Sequence, residues 1–170
     1  SIEASPSSDL TTLYTATSTN PVPTGIGAVD ISVNDSTINA ATLNAIDGYS
    51  TGGITTTATT IEGAATDINT ALTDATGITH ESDIAVTITD TTVAAADLNS
   101  IEALTTGVTT VSNATRMTGS FAAVDEAFGH NDDTLAAVDG VVPPNRISGL
   151  DNINVTLIVE KMRTNCKFAC

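Results

Sequence analysis

Tryptophan is missing from this 170-residue chain, aromatic residues make up 3% of it, and only five side chains are Lys or Arg. A single-stranded nucleic-acid platform needs bases interleaved with aromatic rings, so that class of partner is excluded. The formal net charge of −15 points the same way, since an acidic body repels both nucleic acid and anionic membrane. No apolar run approaches the ~20 residues needed to span a bilayer, and no basic-then-apolar leader precedes Ser1. Ser1 suits a chain trimmed of its initiator Met and made without export, and equally one from which a leader or a longer segment has been cut.

Ligands for a metal are equally scarce. Cys166 and Cys170 are the only cysteines, and a C-x3-C pair falls short of the four ligands of a structural zinc shell. They read as reduced thiols or an incidental bridge. His130 with Asp132 and Asp133 in "GHNDDT" could gather round a metal, yet the same residues make an ordinary helix start. The chain has no P-loop, dinucleotide fingerprint or nucleophile elbow, so pairing His80 or His130 with one of many serines has no motif behind it. The sequence thus implies no catalytic residue, no cofactor and no tightly held metal.

What is present is small, branched and repetitive. Hydrophobic residues make up 41% of the chain, too many for disorder at this charge. Threonine accounts for roughly a fifth, well above ordinary usage, and with Ile and Val it favours extended structure in thin, regular layers. The phrase "VTITDTTVAAADLNSIEALTTG", from Val86 to Gly107, repeats "ISVNDSTINAATLNAIDGYSTGG". Val86 falls on Ile31, Asp90 on Asp35, Val93 on Ile38, Leu98 on Leu43 and Asn99 on Asn44. The unit divides further, with copies opening at Ile54 and, more loosely, around Met117.

Val86-Thr87-Ile88-Thr89 alternates as a half-buried strand, and Leu98, Ile101 and Leu104 share one face of the helix that follows. Gly52, Gly107 and Gly129 stand where such helices should stop. The expected unit is strand, turn, short helix and glycine, with a period near 24 residues and a longer insertion around 74–84. Strands in β-α-β order should be parallel. Units of 20–30 residues without separate cores should stack, giving an α/β, short repetitive strand-helix array that is solenoid-like. Residues 1–29 read as an N-terminal arm with a partial repeat, 30–140 as the β-α repeat body, and 141–170 as a C-terminal strand and basic tail.

Asp35 and Asp90, in "NDST" and "TDTT", read as turn formers and helix caps; weak surface calcium is the alternative. Three sequons (at Asn34, Asn113 and Asn154) are short patterns that a Thr-rich chain produces often. Eighteen of the twenty acids precede residue 146, against one base, Arg116, while Arg146, Lys161, Arg163 and Lys167 follow. "INVTLIVE" is the most strand-like run in the chain, and there the repeat pattern should break off. Arg146, Val155, Leu157, Val159, Lys161, Arg163 and Lys167 are therefore the candidate assembly residues, joining strand addition to opposite charge.

The phrase "VTITDTTVAAADLNSIEALTTGVTT" resembles repeats of large secreted bacterial adhesins, cyanobacterial ones among them. It is similar also to repeats in capsid- or tail-associated appendage and decoration proteins of marine cyanophages. The resemblance covers roughly residues 30–128 and is weakest in "RMTGSFAAVDEAFG", which keeps the spacing without the threonine strand. It implies a non-enzymatic structural subunit of a virion, with other virion structural proteins as partners, while the exposed ends of a short stack and the apolar strand "INVTLIVE" predict a trimer or larger array. The alternative it implies is a module of a secreted or cell-surface adhesin or surface layer.

Overall fold

The computed structural model describes residues 2–14, 26–74, 77–129 and 147–158. Within them the chain is α/β, with twelve short strands and five helices. The elements run β1 (Ile2–Ser5), α1 (Ser7–Tyr14), β2 (Ile31–Val33), β3 (Thr37–Asn39), α2 (Ala40–Asp47), β4 (Ile54–Thr56), β5 (Thr60–Gly63) and α3 (Ala65–Thr73). They continue β6 (Ile78–Thr79), β7 (Ala85–Ile88), β8 (Thr92–Ala94), α4 (Ala95–Leu104), β9 (Thr109–Val111), β10 (Arg116–Gly119), α5 (Phe121–Gly129), β11 (Ile147–Ser148) and β12 (Asn154–Leu157). The strands form three sheets, ordered β1-β2-β4-β6, β3-β5-β7-β9-β11 and β8-β10-β12. Every strand pair is parallel, as the β-α order requires.

Alternation decides which side chains enter the core. Ile31 and Val33, Ile54 and Thr56, Val86 and Ile88 point inward, and the residue between each pair faces out. Pairing in register then aligns like with like. One inward row runs Ile31, Ile54, Ile78; another runs Ile38, Ile61, Val86, Thr109, Ile147. Each fully buried Ile or Val stabilises by about 1.5–3 kcal/mol relative to exposure. The helices close the core with residues three or four apart, such as Leu43 with Ile46 and Leu98 with Ile101, all at most 1% exposed.

Each unit holds two strands rather than one. With one strand per unit Ile38 would fall between strand and helix, but Thr37–Asn39 is extended and pairs with Thr60–Glu62 before α2 begins at Ala40. β-branched Thr and Ile keep that segment extended. The Asn39 side chain then starts the helix by accepting a hydrogen bond from Thr42 N at 3.3 Å.

The glycines after the helices serve close approach rather than a left-handed turn. α2 ends at Asp47 and α4 at Leu104, before Gly52 and Gly107 are reached, and neither glycine has a positive φ. A Cβ on Gly52 would run into the Val29 carbonyl, and one on Gly107 into the carbonyls of Asp83 and Ile84. A hydroxyl two residues earlier fastens each crossing. Ser50 Oγ accepts from Gly52 N (3.0 Å) and donates to Val29 O (2.8 Å); Thr105 Oγ1 accepts from Gly107 N (2.9 Å) and donates to Ile84 O (2.6 Å). Ser/Thr-x-Gly is thus the local code for laying one unit against the last.

Equivalent strands do not always pair. β4 lies on β2 and β5 on β3, each with its counterpart one unit away. At the next step β7, the counterpart of β4, pairs instead with β5, and the insertion supplies β6 to cover β4. β8 then opens the third sheet, to which β10 and β12 add. The pattern does not break off at Ile147. β11 continues the row on β9 and β12 the row on β10, and Ile147 and Leu150 are buried in the same core.

Candidate assembly surface

Among the described residues β12 is the last strand of its sheet, and its pairing sets which way its backbone groups face. Asn154 N donates to Thr115 O at 3.0 Å and Ile158 N to Gly119 O at 2.8 Å, both toward β10. In a parallel ladder alternate residues turn their amide and carbonyl to opposite neighbours. Val155 and Leu157 therefore direct theirs away from β10.

Their side chains tell the same story. Val155 is in register with Met117, and Met117 with Val93, so the three occupy one row. Val93 is 1% exposed and Met117 0%, whereas Val155 is 42% exposed. The strand itself places Val155 as a core residue, and the end of the row leaves it open. Leu157, beside Gly119, is 46% exposed and Ile158 61%. A shallow cleft of about 290 Å³ lies against the sheet and the starts of α4 and α5, lined by Ala94, Ala96, Gly119, Ser120, Ala123 and Ile158. Phe121, at the first position of α5, is exposed as well. Of the sequence-derived assembly residues, Val155 and Leu157 fall on this surface. Arg146, Val159, Lys161, Arg163 and Lys167 lie outside the described residues.

Asp35 and Asp90 cap helices, but not the helices that follow them in sequence. Asp35 Oδ2 accepts from Ser7 N, and Asp90 Oδ2 from Ala65 N, each at 2.7 Å. Both bonds reach back to the helix of the preceding unit, α1 and α3. Ala64, the residue at the start of α3, offers no side-chain cap of its own, so Asp90 supplies the acceptor that the helix terminus lacks. Local sequence alone could not assign this partner, because the two groups are 25 residues apart.

A carboxyl pair went unread in the sequence. Asp47 ends α2, Asp74 follows α3, and both side chains crowd the place where a Cβ on Gly77 would stand. Gly77 N donates to Asp74 Oδ1 at 2.9 Å. Burial, then the charge of Asp74 and a hydrogen bond to it, raise the Asp47 carboxyl above its ordinary value. Two acids ending successive helices were visible in sequence; their meeting depends on how the helices stack.

Among the described residues no cluster of three or more His, Cys, Asp or Glu is arranged to hold a metal, and no helix is long and apolar enough to cross a membrane. His80 Nδ1 lies 2.9 Å from the Glu81 carbonyl. His130, Asp132, Asp133, Cys166 and Cys170 lie outside the described residues. The described residues form an α/β chain of parallel strands in three sheets, and Val155 and Leu157 of β12 are exposed. No family model matches it, and no curated protein or solved structure does so either.

Proposed function

We propose that the chain is a solenoid-like structural repeat and serves as a non-enzymatic subunit of a larger assembly, a decoration or appendage protein of a virion. The observation that carries this reading is the in-register pairing of successive sequence units: Ile31 on Ile54, Ile38 on Ile61, Val86 on Thr109. Such an arrangement extends a surface by adding near-copies, each burying its apolar face against the next. The exposed Val155 and Leu157 give the subunit a place to join others of its own kind or further structural proteins. The repeat's resemblance to phage appendage proteins supports the virion as the setting.

Quantitative mass spectrometry tests the setting. The chain should be enriched in purified virions, at a fixed copy number relative to the major capsid protein. Recovery with the cell envelope or secreted fraction, and depletion from virions, would overturn the virion reading and favour an adhesin or surface-layer module.

A further inference from the structure

The strand supplied by the insertion is held by a contact that needs a proton. β6 is two residues long, and Ile54 N of β4 donates to Gly77 O at 2.7 Å where that strand begins. Asp74 shapes the approach: Gly77 N donates to its Oδ1 at 2.9 Å and Ile78 N to its main-chain carbonyl at 3.0 Å. Asp47, at the end of α2, closes on the same place. Its carboxyl is hydrogen-bonded to that of Asp74, and both carboxyls stand where a Cβ on Gly77 would go. Both side chains are half-buried. Ionised carboxylates only accept hydrogen bonds, so the bond between these two exists while one of them keeps a proton.

We infer that Asp47 and Asp74 form a proton-dependent latch: sharing a proton they hold β6 on β4, and on losing it they release β6 while the rest of the stack stays folded. The inference goes beyond the role proposed above and holds in a virion or on a cell surface alike. Charge around the pair supports it. The elements packed on α2 carry Asp9 and Tyr14 on α1, Glu62 on β5 and Asp67 on α3, and Tyr49 follows α2. None of these is a cation. Among the described residues Arg116, at the start of β10, is the only Lys or Arg, and His80 lies beyond β6 with its Nδ1 2.9 Å from the Glu81 carbonyl. Ala75 and Thr76, between Asp74 and Gly77, bear no titratable group. Once both acids ionise, like charges meet across the turn that leads into β6. That strand yields first, because two residues pair it with β4 and local opening draws on the least supported elements. Burial and the Asp74 charge raise the Asp47 carboxyl above its ordinary 3.8. The latch is therefore fully present below 3.8 and is lost as pH rises through the raised value.

Amide hydrogen exchange of the full chain across the acid to neutral range, corrected for intrinsic rates, tests this. Protection at Ile54 and Ile78 should be constant below 3.8 and then fall by up to about tenfold per pH unit until the raised value is passed. Ala85 N and Val86 N, bonded to Thr59 O and Val108 O, report on the rest of the stack and should keep their protection. Asp47→Asn retains the shape and loses the titration, so Ile54 and Ile78 should stay at their acid protection throughout. Asp74→Asn still offers Gly77 N an acceptor and should do the same; it serves alone if Asp47→Asn loses its circular dichroism spectrum. Protection in the parent chain that ignores pH would overturn the latch. An equal loss at Ala85 and Val86 would overturn it too, since the whole stack would then be loosening. So would an undiminished fall in both variants, which would place the proton elsewhere.

Discussion

Replacing Asp90 with alanine tests whether one unit really fastens the helix of the unit before it. The carboxylate accepts from Ala65 N at 2.7 Å, in a partly buried setting, at a helix start where Ala64 gives no cap. Losing an N-cap acceptor costs about 0.5–2 kcal/mol, and bonds to an ionised acceptor lie toward the strong end. A loss of about 1–2 kcal/mol follows, which in a chain of this size lowers Tm by roughly 2–8 °C. Asp90→Asn keeps an acceptor without the charge and should cost roughly half as much. The effect should also be local: amides in the first turn of α3 should exchange faster, while those of α4, next to Asp90 in sequence, should not. Asp97→Ala, in the first turn of α4, is the control, because it removes a helix-dipole contribution of only about 0.3–1 kcal/mol. If Asp90→Ala shifts Tm no more than Asp97→Ala, and α3 exchange is unchanged, the cross-unit cap contributes nothing and the reasoning fails.

Three other substitutions probe the packing. Thr109 is fully buried between Val86 and Ile147, and its hydroxyl has no hydrogen-bond partner among the described residues. Thr109→Val should therefore raise stability by about 1 kcal/mol in urea unfolding, and a loss of that size would reveal a bond to the hydroxyl. Gly107→Ala, which drives a Cβ into the carbonyls of Asp83 and Ile84, should cost about 1–3 kcal/mol. Gly129→Ala, with open space around it, should be neutral or stabilising by up to about 1 kcal/mol. Asp47 has a raised pKa, so its contribution is fully present below the ordinary value of 3.8 and is lost as pH rises through the raised one. Asp47→Asn should match the parent chain in acid and exceed it near neutrality; equal thermal stability at both pH values would refute the carboxyl pairing.

How much of this was legible in the residues follows the range of the interactions. Alternation of Ile, Val and Thr, together with Leu and Ile three residues apart, is set by the geometry of three or four neighbouring residues. The strands at Ile31, Ile54 and Val86 and the helices carrying Leu43 and Leu98 could therefore be read directly. The parallel sense of the strands followed from their alternation with helices. Asp35 and Asp90 were legible as caps, since a short carboxylate between strand and helix has few other uses. Val155 and Leu157 were legible as apolar and strand-forming, because alternation and β-branching need no tertiary partner.

Which strand lies on which was decided only in three dimensions. Sequence equivalence would set Val86 beside Ile54, yet Val86 pairs with Ile61, and Ile78 from the insertion takes the place on Ile54. Eleven residues around 74–84 are enough to form one more strand, and a strand fills a free edge whatever its ancestry, because unpaired backbone groups cost more than a mismatch of side chains. Stacking likewise turned Asp35 toward α1 and Asp90 toward α3, and placed Asp47 against Asp74. It also left Val155 a core residue by register and a surface residue by position. Periodicity determined the unit from within, since its forces act over a few residues. The stacking order and the caps between units arise from contacts between residues 21 or more positions apart, and only the folded chain brings those together.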